Sequence, residues 1–152
     1  MPLHLLIAAP VMLLCLLLQC GAVAICLRHY ARFQTRWEGR EPMWMDAMLL
    51  TVVMLLTLLC NFAQMAIWAA LFVLLGEFGD FGAALYHSAV NFATLGYGDI
   101  VMSERWRMLG PIESAQGILM FGLSTALMTA AVLDVVKSNM ARLRASREAG
   151  PL

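Results

Sequence analysis

Three long stretches of the chain carry almost nothing but apolar side chains, and polar or glycine-rich segments separate them. The first runs from Leu5 to Leu27, with Gln19 as its one polar side chain. As a helix, 23 residues reach about 34 Å, enough for a hydrocarbon core of about 30 Å. Pro10 is placed to kink it. A cleaved signal peptide would open on positive charge and use a shorter apolar run, so a retained helix is expected. The second stretch, residues 46–75, would be about 45 Å long and must tilt or project beyond the bilayer. Asn61 and Gln64 lie near its middle, three apart and on one face, where an amide needs a partner on a neighbouring helix. The third, residues 112–133, is about 33 Å as helix. Gly110-Pro111 opens it, and Glu113 near its positive dipole end is expected to stabilise the helix start.

The segment between the second and third stretches follows a different pattern. Gly76-Glu77-Phe78-Gly79-Asp80 breaks the helix, and residues 82–93 read as a short amphipathic helix. At about 18 Å it is too short to cross, so it enters the bilayer and returns. Irregular backbone at that depth is tolerated only against protein or a water-filled cavity. The helix's C-terminal end, partly negative, favours a cation near the bilayer centre. Next comes Thr94-Leu95-Gly96-Tyr97-Gly98-Asp99, after which Ile100 to Gly110 returns to the surface. Glycine tolerates φ > 0, so Gly96 and Gly98 let successive carbonyls turn the same way. Around an axis, the carbonyls of Thr94, Leu95, Gly96 and Tyr97 would form rings able to replace a cation's water shell. The Thr94 hydroxyl would add one more ring. An ordinary glycine-rich turn between two helices is the competing reading.

Thr-Leu-Gly-Tyr-Gly-Asp resembles the selectivity filter of the potassium channel family, whose usual form is Thr-Val-Gly-Tyr-Gly-Asp. Leu95 departs from the usual valine or isoleucine, but the coordinating atom there is a backbone oxygen. The resemblance continues in the last helix. Gly117 and Phe121-Gly122-Leu123 match the inner helix of bacterial two-helix potassium channels, with Gly117 at the family's gating-hinge position. At 100° per residue, Ile118, Phe121, Thr125, Thr129 and Leu133 share a face. In that family it would line the cavity below the filter; close helix packing by small residues is the plainer reading.

The same resemblance directs attention to Tyr86, His87 and Val90. The family's short helix carries a Trp-Trp pair whose second member bonds the filter acid; Tyr86 and His87 stand at that spacing, and Val90 replaces a frequent glutamate. His87 could then donate to Asp99 and, being titratable near ~6.5, confer pH sensitivity; simple packing at the helix surface is the plainer reading. The resemblance covers roughly residues 46–136 and implies that four chains surround one pore. The first helix lies outside it.

Composition and charge fit that picture. The chain is 62% hydrophobic and 13% charged, against about 25% charged in soluble domains. Formal net charge is +0, so no nucleic-acid partner is suggested. Cys15, Cys20, Cys26 and Cys60 lie in apolar runs and read as small hydrophobes. Arg28, Arg32, Arg36 and Arg40 recur every fourth residue, with Trp37 and Trp44 among them. A voltage sensor would carry its arginines within the apolar stretch. Here they follow it, so a headgroup-facing cytoplasmic segment is expected. Lys137, Arg142, Arg144 and Arg147 make the tail basic as well, which puts both segments inside and the Asp99 end of the filter and the N-terminus outside.

The expected organisation is thus an all-α integral membrane protein of the cell membrane with three transmembrane helices. Residues 1–30 form an N-terminal transmembrane helix, 31–45 a basic interfacial linker, 46–136 the pore domain and 137–152 a short cytoplasmic tail. The expected activity is passive K+ conduction through a homotetramer, with K+ as the permeating ion, the lipid bilayer as surroundings, and neither cofactor nor enzymatic chemistry. A weakly selective cation channel and a non-conducting membrane subunit are the alternatives.

Overall fold

The apolar runs fold as helices, and each helix continues beyond its apolar span at one end. The computed structural model of the chain describes residues 2–36 and 43–148. It contains α1 (Pro2–Arg36), α2 (Met43–Leu74), α3 (Phe81–Phe92) and α4 (Leu109–Glu148). Among the described residues there is no strand. Three helices are long and apolar enough to cross a membrane, over Pro2–Cys26, Asp46–Leu74 and Leu109–Ala141. The protein is an all-α membrane protein. Trp37 and Arg40 of the basic segment, and Gly39 and Pro42, expected to end it, lie outside the described residues.

Two expected boundaries move. The first helix does not stop near Leu27 but continues through Arg36, and α4 does not end near Leu133 but runs on to Glu148. Arginine and lysine are good helix formers, and nothing in either basic extension breaks an established helix. Residues 137–148 are therefore the last turns of α4 and not a separate tail. Pro10 is accommodated inside α1.

The end of α2 follows from its glycine. Gly76 takes φ +76°, Glu77 N–H donates to Phe72 O at 3.1 Å and Gly76 N–H to Val73 O at 2.9 Å. This six-to-one and five-to-two pair is a Schellman cap with glycine at its left-handed position. Asp80 then caps α3: its backbone is extended and its Oδ2 accepts from Ala83 N–H at 2.9 Å.

The core lies at the α3 end of the bundle, where all four helices meet. Trp68, Phe72, Phe92, Leu109 and Met120 are its largest fully buried apolar side chains, joined by Ala8 and Cys15 of α1. Away from α3 the packing thins, and α2 and α4 leave a groove of about 710 Å³ bordered by Leu55, Asn61, Thr125 and Leu133 among others.

Candidate pore-lining segment

The short helix α3 supports the filter segment and is itself held from behind. Its buried face is Ala84, His87, Ser88, Val90 and Phe92. Ser88 Oγ lies 2.8 Å from Met65 O on α2 and 2.5 Å from Glu113 Oε1 on α4. Ser114 Oγ donates to Asn91 O at 2.8 Å. Gly117 lies so close to the Phe92 carbonyl that any Cβ there would collide with backbone. The position expected to be a hinge is closely packed in this structure, where α4 crosses the end of α3. Glu113, expected to stabilise the helix start, is instead fully buried against Ser88.

The chain leaves α3 through a second Schellman cap. Leu95 N–H donates to Val90 O at 2.9 Å and Thr94 N–H to Asn91 O at 2.8 Å. Here threonine, not glycine, occupies the left-handed position, with φ +59°. A β-branched residue at positive φ is a true outlier, and such strain persists where a site requires it. Gly96 at φ +60° and Gly98 at +73° continue the pattern, while Leu95 and Tyr97 between them do not share it. Backbone that alternates in hand at every residue turns its carbonyls toward one side of the chain, which a strand, with its alternating carbonyls, does not do. Residues 94–101 are all exposed within the single chain.

The Asp99 end of this stretch is pinned by side chains of α3. Tyr86 Oη donates to Asp99 Oδ2 at 2.7 Å. That bond holds the Asp99 carboxyl below its ordinary value and pushes the Tyr86 phenol up. His87 does not take this role, contrary to the expectation from the sequence. Its Nδ1 lies 2.9 Å from Ile100 O, and Asn91 Nδ2 lies 2.8 Å from its Nε2. A carbonyl only accepts, so the proton is assigned to Nδ1, and Nε2 then accepts from Asn91. His87 points inward, against Phe72 and Phe78, because an imidazole one residue from Tyr86 faces the helix's buried side. Burial lowers its pKa, opposed by the bond to Ile100 and by the charges of Asp99 and Glu77. Further out, Glu77 accepts from Ser103 N–H at 2.6 Å and Ser103 Oγ at 2.7 Å, tying the returning loop to the end of α2. Val90, where the resemblance leads one to look for a glutamate, is buried and acts through its carbonyl in the cap.

On α4, Ile118, Phe121, Thr125, Thr129 and Leu133 are all exposed. Phe121, Thr125, Thr129 and Leu133 border the groove with α2, whereas Ile118 does not. The Thr125 and Thr129 hydroxyls donate to Phe121 O and Thr125 O one turn back, leaving lone pairs outward.

The polar residues that brace this arrangement from within are less evident in the sequence. Ser88, Gln116 and Ser124 each bond across helices, and Asn91 holds His87 within α3. Their one sequence signal is a hydrogen-bonding side chain inside an apolar run. Gln64 does find its partner on a neighbouring helix, Gln19 of α1 at 2.8 Å.

Residues 61–134 match the model of a family described as ion channel. The match runs from the middle of α2 through α3 and the filter segment to most of the apolar part of α4. No curated protein and no solved structure matches the chain.

Proposed function

With residues 61–134 in an ion-channel family, we propose that four copies of the chain form a potassium-selective channel. K+ would pass in single file through carbonyl rings of Thr94, Leu95, Gly96 and Tyr97. The observation that carries this reading is the alternation of positive φ at Thr94, Gly96 and Gly98 in an otherwise exposed segment. Lipid does not tolerate uncovered irregular backbone at that depth, so other copies must cover it. Rings of carbonyls then compensate a dehydrated cation without any charged side chain in its path. Tyr86 and the His87–Asn91 pair hold the outer end of the rings at their spacing, and the α3 cap fixes the inner end. In this reading the Ile118, Phe121, Thr125, Thr129 and Leu133 stripe faces the axis below the filter. The Asp99 end and the N-terminus are outside and the end of α4 is cytoplasmic.

Purified protein reconstituted in liposomes tests the reading. Flux of K+ well above that of Na+ is expected. Equal flux of both ions would mean a weakly selective pore, and no flux of either would mean a non-conducting subunit.

A further inference from the structure

The pore-lining helix is held unevenly along its length. From Leu109 to Met120, α4 buries Leu109, Glu113, Gln116 and Met120 almost completely against the other helices. Beyond Met120 none of its described residues is buried. Two side-chain bonds from other helices reach that lower part: Gln19 Nε2 donates to Ser124 Oγ at 3.1 Å, and Asn139 Nδ2 to Asp46 Oδ2 at 3.3 Å.

Gln19 is fully buried, and its amide is used at both ends. Its Oε1 accepts from Gln64 Nε2 on α2 at 2.8 Å while its Nε2 reaches Ser124 on α4. One side chain of α1 therefore links the other two long helices at a depth where water cannot replace a lost partner. The part of α1 before Gln19 is fixed to the well-packed end of the bundle. Gln116 Nε2 donates to Met12 O at 3.3 Å, and His4 Nε2 lies 2.7 Å from Arg105 O in the loop beyond the filter. An element anchored at the rigid end thus extends to the loosely held end of the same helix.

We infer that α1 is a strut on α4 and that Gln19 is its positioning residue: the Gln64–Gln19–Ser124 chain holds the lower half of α4 and so sets the width of the pore's inner mouth. The inference rests on the pore reading above. It also gives the first helix, which lies outside the family match, a task within the channel.

Gln19→Leu keeps the volume and removes both bonds; Ser124→Ala removes one and leaves Gln19 on Gln64. The test is the distance distribution between spin labels at the exposed positions 48 on α2 and 136 on α4, in liposomes, with labelled chains diluted among unlabelled ones. Both variants are expected to broaden it, Gln19→Leu more than Ser124→Ala, while Leu17→Ala, on the exposed face of α1, leaves it unchanged. In flux measurements the conducting fraction should shift by about three-fold, and by no more than roughly twenty-fold, as for single interhelical hydrogen bonds in membranes. The K+ to Na+ ratio should stay at its wild-type value. The double variant should shift the conducting fraction no further than Gln19→Leu alone. Wild-type distances in Gln19→Leu, or additive effects in the double variant, would overturn the strut. A wild-type protein without flux would overturn the pore reading instead, and the distance measurement would still decide the strut.

Discussion

The Tyr86 hydroxyl donates to Asp99 Oδ2 at 2.7 Å, so the acid that closes the Thr94–Asp99 stretch hangs from the first residue of the Tyr86-His87 pair. The bond favours the charged carboxylate, and Asp99 accordingly titrates below its ordinary value. The sign follows: what the bond contributes is present above the ordinary carboxylate range and lost as pH falls through the lowered value. Asp99 is thus ionised throughout neutral and mildly acid solution. Tyr86→Phe should therefore shorten the lifetime of the conducting filter by a similar factor at every pH from about 5 to 8. Tyr86→Trp, which keeps a ring N–H donor, should restore much of it. Sustained potassium current at several external pH values measures both, and wild-type behaviour in Tyr86→Phe would dissociate the bond from the filter.

A different pH response is expected of His87. Burial lowers its pKa, so the folded protein favours the neutral ring. The corresponding stability is complete above the ordinary histidine value of about 6.5 and lost as pH falls through the lowered one. The chemistry of the loss is local. Protonation puts a second N–H on the ring and turns Nε2 from acceptor to donor, facing the Asn91 amide donor 2.8 Å away. Current should fall in external acid below the usual histidine range, and His87→Phe should remove that step while lowering the current at neutral pH. An acid response that survives His87→Phe would assign it to another group.

Gly117 and Gly122 make opposite predictions although both belong to the family-like pattern of the last helix. A Cβ on Gly117 would drive into the Phe92 carbonyl, whereas one on Gly122 meets nothing within 4 Å in its own chain. Backbone cannot yield as a flexible side chain can. Gly117→Ala should destabilise the chain by about 1–3 kcal/mol, as overpacking does. Gly122→Ala should be neutral or slightly stabilising by helix propensity. Unfolding of the purified protein in detergent separates them; equal effects would mean that α4 does not cross α3 at Gly117.

The helices, the break at Gly76 and the irregular backbone at Gly96 and Gly98 were legible because each depends on local chemistry: long apolar runs, a glycine at a left-handed turn, alternating glycines before an acid. What resisted reading depends on neighbours. Tyr86 and His87 are adjacent in sequence, and only the rotation of α3 decides which one faces Asp99 and which is buried against Phe72. Glu113 sits where a helix-end acid belongs by position, yet the approach of Ser88 makes it a buried group. The continuation of α1 to Arg36 and of α4 to Glu148 was hidden for another reason, since a membrane boundary ends an apolar run without ending the helix.

The orientation proposed above rests on the basic ends of α1 and α4, and labelling tests it directly. In a background without the native cysteines, a cysteine at position 147 should react only from the cytoplasmic side and one at position 2 only from outside. Reaction of both from the same side would require an even number of crossings and contradict the three-span organisation.

The two caps of this chain supply the sharpest prediction. Gly76 and Thr94 occupy equivalent left-handed positions after α2 and α3, with φ of +76° and +59°. Glycine does this without cost, whereas a side chain there costs roughly 1 kcal/mol. Threonine at 94 therefore sits there at a cost in stability, and in the proposed pore it adds a hydroxyl at the inner end of the carbonyl series. Thr94→Gly should raise the unfolding free energy by up to about 1 kcal/mol. It should also weaken K+ over Na+ selectivity, because the innermost ring loses its hydroxyls. Gly96→Ala should do the reverse kind of damage. Its new Cβ meets no neighbour in the chain, so membrane insertion should survive, but a strained φ would turn the carbonyls away from the axis and selectivity should be lost. Thermal unfolding and paired K+ and Na+ flux read the two effects separately. A Thr94→Gly protein that is both less stable and fully selective would show that the threonine serves the turn and not the ion.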